Sequence, residues 1–293
     1  MEHDWQLFFS ALSPWKAAIL LVILPTAVTM VGSIVVRRIF GLERLVINNE
    51  VAGFKFAVVG IVYGLFLTLA TISAWEKFSE AHVAVIEEAA AANAIYQLTN
   101  EPEQDQLAVR GALNKYLMLA IDKDWPAMEV EQESEEVSVA LGELYTDVIR
   151  LIQKTSVAPA QNMAPAQTKA TGRAQKVAAV PAPNEVMAQA LAIELIKQLD
   201  NITKSRRTRV HLSSGIVPNM MWCVLIVGAT LTVVFTFFFG LANTVAQVLM
   251  TGILAAMIFM SILMTLSFDH PFTGPVQVGP EALKDLLKTF AHS

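Results

Sequence analysis

Charged side chains are missing from four long stretches of this chain of 293 residues, which argues against a water-soluble fold. The stretches run from Ala17 to Val36, Phe56 to Trp75, Asn219 to Phe239 and Val245 to Phe268, and none contains Asp, Glu, Lys, Arg or His. In a helix, about 20 residues span the roughly 30 Å of a bilayer's hydrocarbon core. The sequence therefore predicts a multi-pass integral membrane protein with four transmembrane helices.

Cysteine and the common catalytic motifs are also scarce. The single Cys223 lies in the third stretch, which excludes a disulfide framework and a cysteine-based metal site. The five histidines lie far apart and have no partner four residues away. P-loop, G-x-S-x-G and Cys/His signatures are absent as well. We therefore predict no enzymatic activity, no cofactor and no bound metal.

The chain also has no excess of positive charge. The formal net charge is -5, with 21 Lys and Arg against 26 Asp and Glu. Nucleic-acid binding usually needs a basic face, so nucleic acid is not predicted as a partner. The partner that the composition does predict is the lipid bilayer.

The order of the apolar stretches predicts an all-α membrane protein built from two transmembrane hairpins with a helical domain between helices two and three. We expect the first hairpin in residues 1–75, the extramembrane domain in 76–216, and the second hairpin with a C-terminal tail in 217–293. Within the domain, apolar residues recur at helical spacing, as at Leu195, Leu199 and Ile202. Residues 76–98 contain no Pro or Gly, which predicts one long helix continuing from the second span.

Residues 156–183 differ in composition from the rest of the domain. They are rich in Ala, Pro, Gln, Thr and Lys and contain few large apolar side chains. Such a segment cannot offset the entropy lost on ordering, so we predict a flexible linker.

Small residues form stripes along two of the spans. In a bilayer, helices associate closely where small residues let their backbones approach. The stripes predict either packing within one subunit or an interface around a pore, and spacing alone does not separate the two. Their members are Gly53, Ala57, Gly60, Gly64, Thr68 and Thr71 in the second span, and Gly228, Thr232 and Thr236 in the third.

A basic cluster precedes the third span. It consists of Lys204, Arg206, Arg207 and Arg209. Cations at this position bind anionic lipid head groups, concentrate anions at a pore mouth, or extend to the interface and fix the depth of the helix. All three readings stay open.

Several of these stretches resemble a family of bacterial membrane proteins described as bestrophin-like. The matching segments are Asn48–Phe54, Val59–Gly64, Trp75-Glu76 with Ala81 and Glu88, Pro218 with Trp222, Gly228-Ala229, Phe238–Gly240 and Asp269–Gly274. The resemblance covers both hairpins and the long helix. Its further link to bestrophins implies a homopentameric anion channel with four spans per subunit and a helical domain between spans two and three. The Pro-containing, Phe-rich neck expected on the second span is absent from this sequence.

Our leading hypothesis is an oligomeric channel of the bacterial inner membrane that conducts small ions, with anions favoured. The alternative is a non-conducting membrane sensor or scaffold whose helical domain binds a partner. The orientation stays open, because the basic residues between spans one and two favour a cytoplasmic loop, whereas bestrophin topology favours a cytoplasmic domain.

Overall fold

The structure is a computed structural model that describes residues 12–46, 49–157, 183–215, 217–274 and 276–292, and the regular elements in these ranges are all helices. Helix α1 begins with Pro14–Ala18, passes through a π-helical turn at Ile19–Ile23 and ends with Leu24–Phe40. Helix α4 likewise joins Gln104–Leu119, a π-helical turn at Ala120–Asp124 and Trp125–Met128. The others are α2 (Leu42–Val46), α3 (Asn49–Leu98), α5 (Glu135–Val157), α6 (Pro183–His211), α7 (Asn219–Thr236), α8 (Thr244–Asp269) and α9 (Glu281–Ala291).

Four of these helices are long and apolar enough to cross a membrane. They are Trp15–Phe40, Asn49–Leu98, Asn219–Thr236 and Thr244–Asp269. The prediction of an all-α membrane protein with four such helices is confirmed, and so is the single long helix α3; the pairing into two hairpins stays a prediction. Of the predicted linker, residues 158–182 lie outside the described ranges.

The third candidate span ends three residues before the predicted Phe239. The amides of Phe237, Phe238 and Phe239 each donate to the carbonyl three residues earlier, at 3.0, 3.2 and 3.3 Å. Such bonds tighten the last turn of a helix and satisfy carbonyls that lack a partner four residues on. Composition does not reveal this ending, because all three residues are apolar.

Pro25 lies inside α1 without ending it. Proline has no amide to donate four residues back, and the π-helical turn directly precedes it. In that turn the Leu24 amide donates to the Ile19 carbonyl, one residue further back than in an α-helix. The Thr29 hydroxyl donates to the Pro25 carbonyl at 2.8 Å. The wider turn accommodates the proline, and the helix continues to Phe40.

The chain divides into two compact units. The membrane unit comprises Met1–His82 and His211–Gly279, and the helical unit comprises Val83–Val210 and Pro280–Ser293. Helix α9 therefore belongs to the helical unit, whereas the sequence had grouped it with the second hairpin. The reason is its apolar side: Leu283 and Phe290 are buried, and the Phe290 ring stacks on Tyr96 with a centroid separation of 3.7 Å.

Asp269 fixes the junction between the end of α8 and the start of α7 in the membrane unit. Its carboxylate accepts a hydrogen bond from the Val217 amide at 2.8 Å and another from Trp222 Nε1 at 3.3 Å. Because Asp269 is 1% exposed, these charge-assisted bonds are shielded from water. The acidic residue that closes the fourth span thus has a structural role.

Candidate functional site

One side of the membrane segment of α3 packs within the chain. Tyr63, Ala70 and Ala74 are buried and lie seven and four residues apart, which places them on one face. Tyr63 contacts a cluster that includes Ala229 and Val233 of α7. This face is the helix-contact side of α3.

The third-span stripe is part of the same contact. A Cβ atom on Gly228 would lie 2.6 Å from Cδ2 of Tyr63, so only glycine lets the ring approach this closely. Thr232 and Thr236 are buried, and their hydroxyls donate to the carbonyls of Gly228 and Val233. Of the two predicted roles, the packing of these three residues supports helix contact within one chain.

The second-span stripe is covered only at its two ends. A Cβ on Gly53 would lie 3.9 Å from the Phe239 ring, and the Thr71 hydroxyl lies 2.7 Å from that of Thr265. Between them, a Cβ on Gly60 or Gly64 would meet nothing within 4 Å in the part of the chain that the structure describes. The middle of the stripe is therefore open with respect to these residues.

Exposed residues surround this open stretch. Ala57 and Thr68, the other members of the stripe, are exposed. On the same helix Ile61 is 72% exposed and Leu65 is 60% exposed. Such large apolar side chains are stable in contact with lipid tails or with another membrane helix, and not in water. We call this surface the open α3 face, defined by Ala57, Gly60, Ile61, Gly64, Leu65 and Thr68.

The basic cluster before the third span does not form one surface. Lys204 and Arg207 are exposed, whereas Arg206 is 7% exposed and Arg209 is fully buried. The prediction that all four residues bind anions or lipid head groups needs correction, because both buried guanidinium groups pair with carboxylates of the helical unit. Only Lys204 and Arg207 remain candidates for that role.

The two buried arginines belong to a charge network with Glu88 and Asp124. Arg209 Nε donates to Glu88 Oε2 at 2.9 Å and its Nη2 donates to Asp124 Oδ2 at 3.2 Å. Arg206 Nε donates to Asp124 Oδ2 at 2.8 Å. The Tyr116 hydroxyl donates to Glu88 Oε1 at 2.6 Å. Two cations thus face two anions, which offsets the cost of removing all four charges from water.

The same contacts shift proton affinities in the network. Burial of the Tyr116 hydroxyl and the charge of Glu88 raise the pKa of Tyr116 well above its ordinary value. Burial on its own would lower the pKa of Arg206, but the hydrogen bond and the charge of Asp124 outweigh it and raise that pKa. Both arginines stay charged and Tyr116 stays neutral at physiological pH, so the network stabilises the helical unit.

Sequence reasoning missed this network, although one signal for it was present. Arg206 and Arg209 continue the spacing of Leu195, Leu199 and Ile202, which are all buried. That spacing places both arginines on the buried face of α6. No comparable pattern marks Asp124, which is the last residue of the π-helical turn within α4.

Comparisons with known proteins agree with this architecture. Two crystal structures of single-residue variants of a bacterial bestrophin homologue from Klebsiella pneumoniae superpose with TM-scores of 0.57 and 0.53, at 14% and 13% identity. The first alignment covers 92% of this chain and 98% of that chain, and the second covers 92% and 99%. A crystal structure of a membrane protein variant gives a TM-score of 0.55 at 13% identity, covering 92% of this chain and 97% of that chain. At these identities the likeness shows a shared fold.

No curated protein sequence matches the chain. The profile of the Bestrophin-like domain, in contrast, matches residues 23–283, which include all four candidate membrane helices except the first turns of α1. The chain therefore belongs to the bestrophin-like family.

Proposed function

We propose that this protein is an oligomeric membrane channel for small ions, with anions as the favoured permeant. The observation that carries the proposal is the open α3 face, where a Cβ added to Gly60 or Gly64 would meet no atom of the described residues within 4 Å. A small-residue stripe in a membrane helix is normally the place of closest approach to another helix. Because no helix in the described ranges covers this stretch, a second copy or a pore shared by several copies is the simplest partner. The fold shared with bestrophin homologues supports this reading.

The charge distribution favours anions. The four predicted spans contain no Asp or Glu that would attract cations into a pore. Exposed cations lie nearby in sequence, at Arg38 and Lys55 before the second span and at Lys204 and Arg207 before the third. Cations at a pore mouth raise the local anion concentration. The large apolar residues of the open α3 face can supply a constriction that gates by dewetting and needs no charged residue.

The number of subunits separates the channel from the sensor or scaffold alternative. A central pore needs several copies around one axis, whereas a scaffold does not. We expect the mass of the protein in mild detergent to correspond to a ring of at least four chains, and the family resemblance implies five. A monomer or a dimer would exclude a shared pore and favour the scaffold.

A further inference from the structure

A cavity of about 520 Å³ lies within the membrane unit, between α3, α8 and the turn that follows α7. Its walls include Phe56 of α3, Phe239 of the turn and Leu254 of α8. The rings of Phe56 and Phe239 meet edge to face, with centroids 5.4 Å apart. The volume falls within the range of roughly 300–1,000 Å³ that is typical of sites for small ligands.

Asn49 and Gln247, the two amide side chains of this cavity, already have partners. Asn49 exchanges two hydrogen bonds with the backbone of Gly240, at 2.6 and 3.0 Å. Gln247 donates to the Phe239 carbonyl at 2.7 Å and accepts from Arg37 at 2.9 Å. A stably bound water needs two to four polar partners, and these groups have their main bonds within the chain. The cavity therefore suits an apolar occupant better than water or a polar ligand.

We infer that the cavity binds one acyl chain of a membrane phospholipid. Met250, which also lines the cavity, is 61% exposed, so the cavity opens at the outer surface of helices whose composition is that of membrane spans. Lipid tails surround that surface. An empty cavity forfeits the dispersion contacts of its lining, whereas an acyl chain restores them. The inference does not depend on ion conduction.

Two substitutions fill the cavity from opposite walls. A Cβ on Gly53 would have only ordinary van der Waals contact with Phe239, at 3.9 Å, so Gly53→Leu extends its side chain into the open space. Leu254→Trp adds volume from α8. The matched control is Ile253→Trp, because Ile253 is the adjacent residue, does not line the cavity and is 63% exposed.

Native mass spectrometry of the full chain in mild detergent, with palmitoyl-oleoyl phosphatidylglycerol as the probe, tests the inference. We expect the wild type and Ile253→Trp to retain one probe molecule per chain after weakly attached lipid is removed, and each filling variant to retain at least tenfold less. A normal elution profile shows that each variant is folded, and either filling variant alone suffices for the test. Equal retention by all four proteins, no retention by the wild type, or retention of palmitate in place of the phospholipid would each overturn the inference.

Discussion

At the scale of single residues, the buried arginines of α6 give the sharpest expectation for stability. Replacing Arg209 by Met leaves Glu88 and Asp124 buried with one cation fewer. Removing one partner of a buried ion pair typically costs about 3–5 kcal/mol, because the remaining charge is uncompensated. We therefore expect Arg209→Met to lower the thermal unfolding midpoint of the purified protein by several degrees.

Arg207 provides the matched control for this experiment. It lies two residues away on the same helix but is exposed, so Arg207→Met should change stability by less than about 0.5 kcal/mol. If the two variants unfold at the same temperature, the buried network does not stabilise the helical unit.

The raised pKa of Tyr116 makes the free energy of unfolding decrease as the pH rises into the alkaline range. Its pKa is raised in the folded state, so the unfolded chain loses the Tyr116 proton first, near the ordinary value of about 10. The stabilising contribution is fully present below that pH and is lost as the pH rises toward the folded-state pKa, with a slope of up to about 1.4 kcal/mol per pH unit.

Tyr116→Phe removes this titration. Unfolding midpoints measured between pH 9 and 11 should fall less steeply for the variant than for the wild type, although the variant also loses the hydrogen bond to Glu88. Parallel curves would show that Tyr116 is not the group responsible.

At the scale of helices, two glycines with the same sequence signature have opposite surroundings. Gly228→Leu forces a side chain into the Tyr63 ring and should destabilise the contact between α3 and α7 by about 1–3 kcal/mol. Gly64→Leu places its Cβ where no atom of the described residues lies within 4 Å. We therefore expect it to leave the unfolding midpoint nearly unchanged and to reduce the oligomer instead.

Unfolding midpoints and particle masses of the two variants check this contrast. The same leucine at Gly111, an exposed helical position of the helical unit, should leave the particle mass unchanged and should not lower the unfolding midpoint, because leucine favours a helix more than glycine does. An intact oligomer in Gly64→Leu would argue against a role for the open α3 face in subunit contact.

The helices themselves are largely predictable from the sequence, for a physical reason. A bilayer demands about 20 uncharged residues in a row, and each of the four stretches that meet this demand coincides with a helix, apart from the last three residues of the third stretch. The surroundings of a small-residue stripe are less predictable, because the spacing of its residues shows that they share one face of a helix but not which other helix packs against that face. Gly60 and Gly228 both follow the small-residue pattern, yet among the described residues a Cβ on Gly228 would meet the Tyr63 ring and one on Gly60 would meet nothing within 4 Å.

The surroundings of the basic residues before the third span were also not predictable from the sequence. Proximity to the third span alone predicts one basic patch, formed by Lys204, Arg206, Arg207 and Arg209. The helical period separates them into two exposed and two buried side chains. The carboxylate partner Asp124 comes from a distant helix and cannot be inferred from local pattern.

At the scale of the whole molecule, family membership, four apolar helices and the open α3 face lead to one account. The proposal is that several copies assemble through the membrane unit and enclose a path for ions, with apolar residues at its constriction. The account requires the glycines of α3 to matter for the assembly and not for the folding of a single chain.

Ion flux through liposomes that contain the purified protein tests this account most directly. We expect chloride efflux from vesicles with the wild type to be well above that from protein-free vesicles and above cation efflux. Chloride efflux should be at least tenfold lower with Gly64→Leu and unchanged with Gly111→Leu. The absence of both anion and cation flux from vesicles that contain the folded wild-type oligomer would contradict the account.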